Sequence, residues 1–427
     1  MEKLRKKLTS KEFINKHKTT KKAFTRNRLL TFQTVFIFLI NFITKSLQAE
    51  LDNLFKVILH SELPENKVSK GAFSQARQKL KHEAFIELDK LQIDYFYDTT
   101  DYKKWNGFRL IAIDGSTSRL PNSEAIIKEY GVADISETST PVILSRLSQA
   151  YDILNHLTID AQFSSYHNNE HEMAIDHLSF LKRGDMCLFD RNYGSFWLFA
   201  LLNSKGIHFC ARLKTGSWKV AKQLVESGNR EMTAKIYPSK ASAKRCKALG
   251  IECKVQRLRF ICIELVSGEK EVLVTSLMDE QEFMYDEFAD LYHLRWFVEE
   301  SYKRMKSRLE IENYSGKNPL ALLQDFYAKL FSCNLTSILM SETDLQVEKI
   351  TKNRKYNYQL NFTQALNRMK NSIVLLFIRS EQKIKKYITH LKILFISNLE
   401  LIRPYRYVER TFRKSKRIYP APYKNSF

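Results

Sequence analysis

Residues 292–306 read YHLRWFVEESYKRMK. Tyr292, Arg295, Glu299 and Lys306 stand at offsets 0, 3, 7 and 14. At about 100° per residue on a helix, all four fall within an arc of about 60°. One carboxylate then shares a narrow stripe with two cations and a phenol. Such a stripe makes a poor core, because every member is polar or half-polar. It suits holding a metal ion against a phosphate backbone. The pattern predicts a helix over about 284–309.

Upstream of that helix the chain reads as strands and helices in alternation. Phe108–Ile113 (FRLIAI) is a nearly continuous apolar run, as expected of a strand covered on both faces, and it ends in Asp114-Gly115-Ser116. Val142–Leu154 and His156–Phe163 read as a hairpin turned near Asn155. A helix is expected over about Glu170–Leu181. Met186–Phe189 (MCLF) is a short buried strand ending in Asp190-Arg191-Asn192-Tyr193. Gly194–Ser204 reads as helix and Ile207–Leu213 as strand. The stretch 214–283 holds the strand-like runs Arg257–Leu265 and Glu271–Leu277 and a basic loop around Lys240–Lys247, so it reads as a β-rich insertion. Helical patterns occupy about 29–60, 69–97 and 315–400. The resulting division is a helical DNA-binding domain with a basic arm (1–97), the first part of an α/β core (98–213), the insertion (214–283), completion of the core by the helix carrying Glu299 (284–330), and a helical C-terminal region with a basic tail (331–427).

Lys and Arg number 69 against 47 Asp and Glu, a formal charge of +22. An excess of this size points to a polyanionic partner, first of all nucleic acid. Residues 1–28 carry eleven lysines and arginines against Glu2 and Glu12, and 403–427 are similarly basic. Both read as arms that neutralise phosphates. The six cysteines form no CxxC pair and have no histidine at zinc spacing, so free thiols in a reducing cytoplasm are expected. The basic N-terminus lacks the apolar run and cleavage site of a secretory signal. Leu29–Thr44 is apolar but interrupted by Thr31, Gln33, Thr34 and Asn41, which favours a buried helix over a membrane span.

Asp114 and Asp190 each close an apolar strand, at the rim where sheet proteins place ligands. Glu299 comes from a helix able to pack across that rim. Three carboxylates from distant segments suit hard divalent cations. Two such ions, roughly 3.5–4 Å apart, can clamp a phosphodiester.

These blocks resemble a known family. Tyr-x2-Arg-x3-Glu-x6-Lys is the signature of the DDE transposases of the insertion-sequence-four family, and Tyr292, Arg295, Glu299 and Lys306 match its spacing. LIAIDGSTSRLP (110–121) resembles the family's first-aspartate block, LFDRNYGSFWLF (188–199) its second, and KVSKGAFSQARQKL (67–80) an N-terminal stretch common in these proteins. The likeness covers about 65–330. It implies a ribonuclease H-like core with a β insertion before the last carboxylate. It implies Asp114, Asp190 and Glu299 as catalytic metal ligands for two Mg2+ or Mn2+ ions, and phosphate contacts from Tyr292, Arg295 and Lys306. The implied activity is cutting at the element's terminal inverted repeats and joining 3′ hydroxyls to target DNA, by a homodimer assembled on DNA. Asn192 stands where the family usually has Gly, and Asn tolerates left-handed angles, so the turn is expected to survive.

Lys303 and Arg191 extend the basic character around these blocks and are candidate DNA contacts. Trp218, in the insertion, is a candidate for stacking on an unpaired base, against the alternative of a packed tryptophan. Glu300 lies about 100° from Glu299 on a helix, which disfavours it as a ligand. His167, Glu170 and His171 (HNNEH) lack a closed zinc set. Two other functions compete with the leading one: a ribonuclease H-like nuclease without strand transfer, and a catalytically inactive DNA-binding relative.

Overall fold

The computed structural model describes residues 1–402, apart from 27, 65, 134–141, 215, 217 and 266–267. Its centre is one mixed sheet. The strands are β1 (Leu110–Arg119), β2 (Leu144–Asp152), β3 (Leu157–Ser165), β4 (Met186–Phe189), β5 (His208–Leu213), β6 (Glu231–Ile236), β7 (Gln256–Glu264) and β8 (Lys270–Thr275). Their order is β3-β2-β1-β4-β5-β8-β7-β6. β1, β4 and β5 run parallel, and the other pairings are antiparallel. The first five strands, in the order 3-2-1-4-5, form the ribonuclease H-like core that the resemblance implies.

The apolar run of β1 serves two cores at once. Leu110 and Ala112 face the helical side of the sheet, and Ile111 and Ile113 the opposite side. A strand buried on both faces has no polar side to alternate with, which is why the sequence reads as a continuous run. All four residues of β4 are buried for the same reason. The β2–β3 turn is fastened by Asp152, whose Oδ1 accepts from the amides of Leu154 and Asn155. Just beyond it, His156 takes a positive φ of 55°.

Several local expectations need correction. β1 does not stop at Asp114: antiparallel pairing to β2 carries it on to Arg119, opposite Leu144. Lys240–Ala248, expected as a loop, is a helix. Its Ala, Lys and Arg residues are good helix formers, and Ser239 caps it by accepting from the Ser242 amide. The expected helix over 284–309 is two, Glu287–His293 and Trp296–Ser307. Between them the amides of Arg295, Phe297 and Val298 bond three residues back rather than four, which tightens the chain into a bend. The pattern over 29–60 splits into Phe32–Ile40 and Leu47–Leu59, with Phe42 at a positive φ of 52° between them. That over 69–97 splits into Lys70–Arg77 and Glu83–Thr99. The stretch expected to be wholly helical from 315 to 400 holds β9 (Tyr358–Leu360), which pairs with β10 (Leu399–Leu401).

The stretch 214–283, expected as an insertion, continues the core sheet, because β8 pairs directly with β5. The N-terminal and C-terminal helices share one core on the other side. Phe36 stacks on Phe85 at 4.5 Å and meets Phe331 edge-on at 5.9 Å. Residues 1–28 include the helices Glu2–Thr9 and Lys11–His17, which bury Leu4, Leu8 and Phe13. The basic tail 403–427 lies outside the described residues. Among the described residues, no helix is long and apolar enough to cross a membrane.

Candidate active site

Strand pairing brings the two aspartate segments together. Ala112 on β1 lies opposite Leu188 on β4 in parallel pairing. Asp114 and Asp190 are each two residues further on. Neighbouring strands are about 4.8 Å apart and side chains alternate with period two. Asp114 thus points from the same face as Ala112, and Asp190, the first residue beyond β4, lies close enough for its charge to act on Asp114. β4 ends at Phe189 while β1 continues, so the two strands separate at this point. The helix Trp296–Ser307 packs against β1 on that face, and Val298, Tyr302 and Met305 anchor it in the core shared with Ala112 and Leu188.

Arg295 joins the first aspartate to the glutamate. Its Nη1 is 3.6 Å from Asp114 Oδ2 and its Nη2 is 2.9 Å from Glu299 Oε1. Arg295 is only 6% exposed, and its guanidinium lies over the rings of Tyr292 and Trp296 at 5.7 and 5.4 Å. The Asp114 backbone is held as well: Tyr302 Oη donates to its carbonyl at 2.9 Å, and its Oδ1 accepts from the Gly115 amide at 2.8 Å. Asp190 Oδ1 accepts from the Asn192 amide at 2.8 Å. Asn192 is not among the residues of positive φ, so the turn does not need glycine there.

The electrostatics report a crowded acid cluster. Burial pushes the Asp114 carboxyl up to about 7; Arg295 and the Gly115 amide pull it down, while the charges of Asp190 and Glu299 push it further up. Arg295 is held above its ordinary value: burial opposes its charge, but Tyr292, Glu299 and Asp114 outweigh that. Burial lowers Lys306, against the pull of Glu312.

Among the described residues, no three His, Cys, Asp or Glu side chains already stand close enough together to hold a metal ion. Arg295 occupies the ground between Asp114 and Glu299. The donor set nevertheless fits a hard divalent cation. It consists of carboxylate oxygens whose mutual repulsion a cation relieves. Tyr193, 1% exposed and packed in the core on the other face of the sheet, has a hydroxyl without a hydrogen-bond partner. Burial first, then the charges of Asp114, Glu170 and Asp190, hold that phenol well above its ordinary pKa.

The remaining candidates scatter around this centre. Tyr292 is buried beneath Arg295. Arg191 is exposed next to Asp190. Lys306 is half-buried one helical stretch beyond Glu299, and Lys303 is exposed and paired with Glu300. Trp218 packs on Phe199 and Phe260, and its indole N–H donates to the Gly194 carbonyl at 3.3 Å, as a packed tryptophan would. His171 Nε2 meets the Asn192 carbonyl oxygen at 2.8 Å, and Glu170 pairs with Arg146. The sequence reading missed Tyr302, Tyr193 and Gly115. Tyr302 lies three residues after Glu299 on the same helix, a spacing that could have marked it.

A family model described as the transposase DDE domain matches residues 105–335, more than half of the chain. The transposase InsG of insertion sequence element IS4 from Escherichia coli K12 is 24% identical over 284 residues, 65% of this chain and 63% of that protein. InsZ of the same strain is 29% identical over 170 residues, 38% of this chain and 55% of InsZ. The matched region thus spans less than two thirds of these relatives. A piggyBac transposase synaptic complex with hairpin DNA superposes at a TM-score of 0.47 with 12% identity, covering 91% of this chain and 84% of that one.

Proposed function

Because this chain belongs to the transposase DDE family, within the insertion-sequence-four group, we propose that it cuts DNA at the ends of a mobile element and joins the freed 3′ hydroxyls to a target. The observation that carries the reading is the meeting of Asp114 and Glu299, 185 positions apart in the chain, on one buried arginine. Asp190, the first residue after β4, supports it through its charge on Asp114.

Asp114, Asp190 and Glu299 are the residues that would hold divalent cations, as Mg2+ or Mn2+, two per site. Bound there, such ions would activate the attacking water or hydroxyl and stabilise the departing 3′ oxygen. The protein's own share is positioning and charge. The Tyr302 hydroxyl and the Gly115 amide fix Asp114. The Tyr292 ring supports Arg295, which balances Asp114 and Glu299 and can turn to a phosphate as the acids engage a cation. Arg191, Lys303 and Lys306 stand around the same centre as cations for the strand beyond the cleaved bond. Double-stranded DNA carrying terminal inverted repeats is the substrate, and a homodimer brings two ends together.

The test uses duplex DNA carrying the inverted repeats that flank the gene. Wild-type protein with Mg2+ is expected to nick or cut at the repeat boundary and to join the ends to a target plasmid. Glu299→Ala is expected to lose cleavage while still retarding the duplex in a gel. Equal cleavage by the two proteins would remove Glu299 from the site. Cleavage without any joining would favour the nuclease reading.

A further inference from the structure

Glu170 is a carboxylate that the three signature blocks leave out. It opens the helix Glu170–His177, which follows β3. Its carboxyl group packs against Gly115, the residue after Asp114: a Cβ on Gly115 would stand 3.2 Å from both Cδ and Oε1 of Glu170. That is tighter than an ordinary side-chain contact, so glycine at 115 admits the acid. The same helix is tied to the turn after Asp190, through His171 Nε2 and the Asn192 carbonyl oxygen. Glu170 thereby approaches both aspartate segments from the opposite face of the sheet, the face of Ile111 and Ile113, where β1 and β4 part. Its charge is met by Arg146, as those of Asp114 and Glu299 are met by Arg295.

A second observation points to a ligand here. Tyr193 is 1% exposed, and its hydroxyl has no hydrogen-bond partner. It stands in the field of Asp114, Glu170 and Asp190 and bonds to none of them. An unpartnered buried hydroxyl is destabilising, and a solvated cation among the acids would offset that.

We propose that Glu170 is a fourth acidic member of the divalent-cation site, and that the Tyr193 hydroxyl hydrogen-bonds a water on the bound ion. This rests on the reading of Asp114, Asp190 and Glu299 given above. Every donor is oxygen, so the ion is hard, Mg2+ or Mn2+. Arg146 is the competitor: it answers the Glu170 charge when the ion does not.

Calorimetric titration of the full chain with Mn2+ tests this. Glu170→Gln keeps the shape of the side chain and a hydrogen bond to Arg146. It is expected to weaken Mn2+ binding about tenfold or more, and Tyr193→Phe by a smaller factor. Arg146→Gln is expected to tighten Mn2+ binding, a change that a merely structural Glu170 would not produce. Circular dichroism melting of each variant checks the fold. Wild-type affinity in both Glu170→Gln and Arg146→Gln, with binding lost in Asp114→Asn, would overturn the proposal and leave the three-carboxylate reading intact. Equal Mn2+ binding by wild type and Asp114→Asn would overturn both.

Discussion

Arg295 carries a buried positive charge between two acids, and its removal should expose what it balances. Glutamine at 295 leaves Asp114 and Glu299 facing each other without a counter-charge. Breaking such a partly buried arrangement costs about 3 kcal/mol. We expect Arg295→Gln to lower stability in urea by about that amount without metal, and Mg2+ to restore most of it, because binding to the folded state alone stabilises it. A loss that Mg2+ leaves unchanged would mean that the two carboxylates do not share a cation. At this scale the sequence was informative about identity and less so about neighbours. The spacing from Tyr292 to Lys306 singled out Arg295 and Glu299, and the structure joins them at 2.9 Å. The same helical arithmetic treated Tyr292 as part of a surface stripe. The bend at Leu294–Arg295 instead buries it, and nothing in a residue pattern without Pro or Gly announced that bend. Tyr193 and Glu170 gain their meaning only from Gly115 and Asp114 across the sheet.

Elements were legible where one physical cause dominated. MCLF is buried on every side, and its strand matches the reading residue for residue. The basic stretch Lys240–Lys247 reads as a loop by charge, yet its helix propensity and the Ser239 cap make it the helix Lys240–Ala248. The N-terminal helices show why charge alone misleads. Lys7, Lys16 and His17 all converge on Glu87 of the helix Glu83–Thr99. Burial raises the Glu87 carboxyl, but hydrogen bonds from Lys16, His17 and Lys7 outweigh it and hold it at about 2, against an ordinary 4.5. A carboxyl with a depressed folded pKa contributes stability that is fully present above the unfolded value and lost as pH falls through the folded one. The hydrogen-exchange protection factors of residues 2–17, relative to the intrinsic rate at each pH, should therefore fall between pH 4.5 and about 2. Glu87→Gln should show quickened exchange already at neutral pH and flatten that dependence. An unchanged profile in the variant would place the cause elsewhere.

At the scale of the whole molecule, the described N-terminal and C-terminal helices are joined by specific long-range pairings. Arg77, in the N-terminal block that the family resemblance singled out, is 2% exposed and bonds Asp325 Oδ1 at 2.9 Å, with Gln324 and Ser315 completing its shell. Asn41 and Asn371 hydrogen-bond across more than 300 residues. Pairings this distant leave no trace in local periodicity, so the sequence does not announce them. Asp325→Ala leaves the Arg77 charge buried and unpaired and should cost about 3–5 kcal/mol. Its unfolding transition should move the N-terminal and C-terminal helices together; two separate transitions would show that they fold independently. We propose that Asp114, Asp190 and Glu299 converge on a divalent cation. Loading the protein with Fe2+ and generating hydroxyl radicals at the bound ion tests this most directly, because the backbone is cut only near the metal. Cuts at the three segments around 114, 190 and 299, all suppressed by excess Mg2+, are the predicted result. Cuts at one segment alone, or scattered cuts that Mg2+ does not suppress, would contradict it.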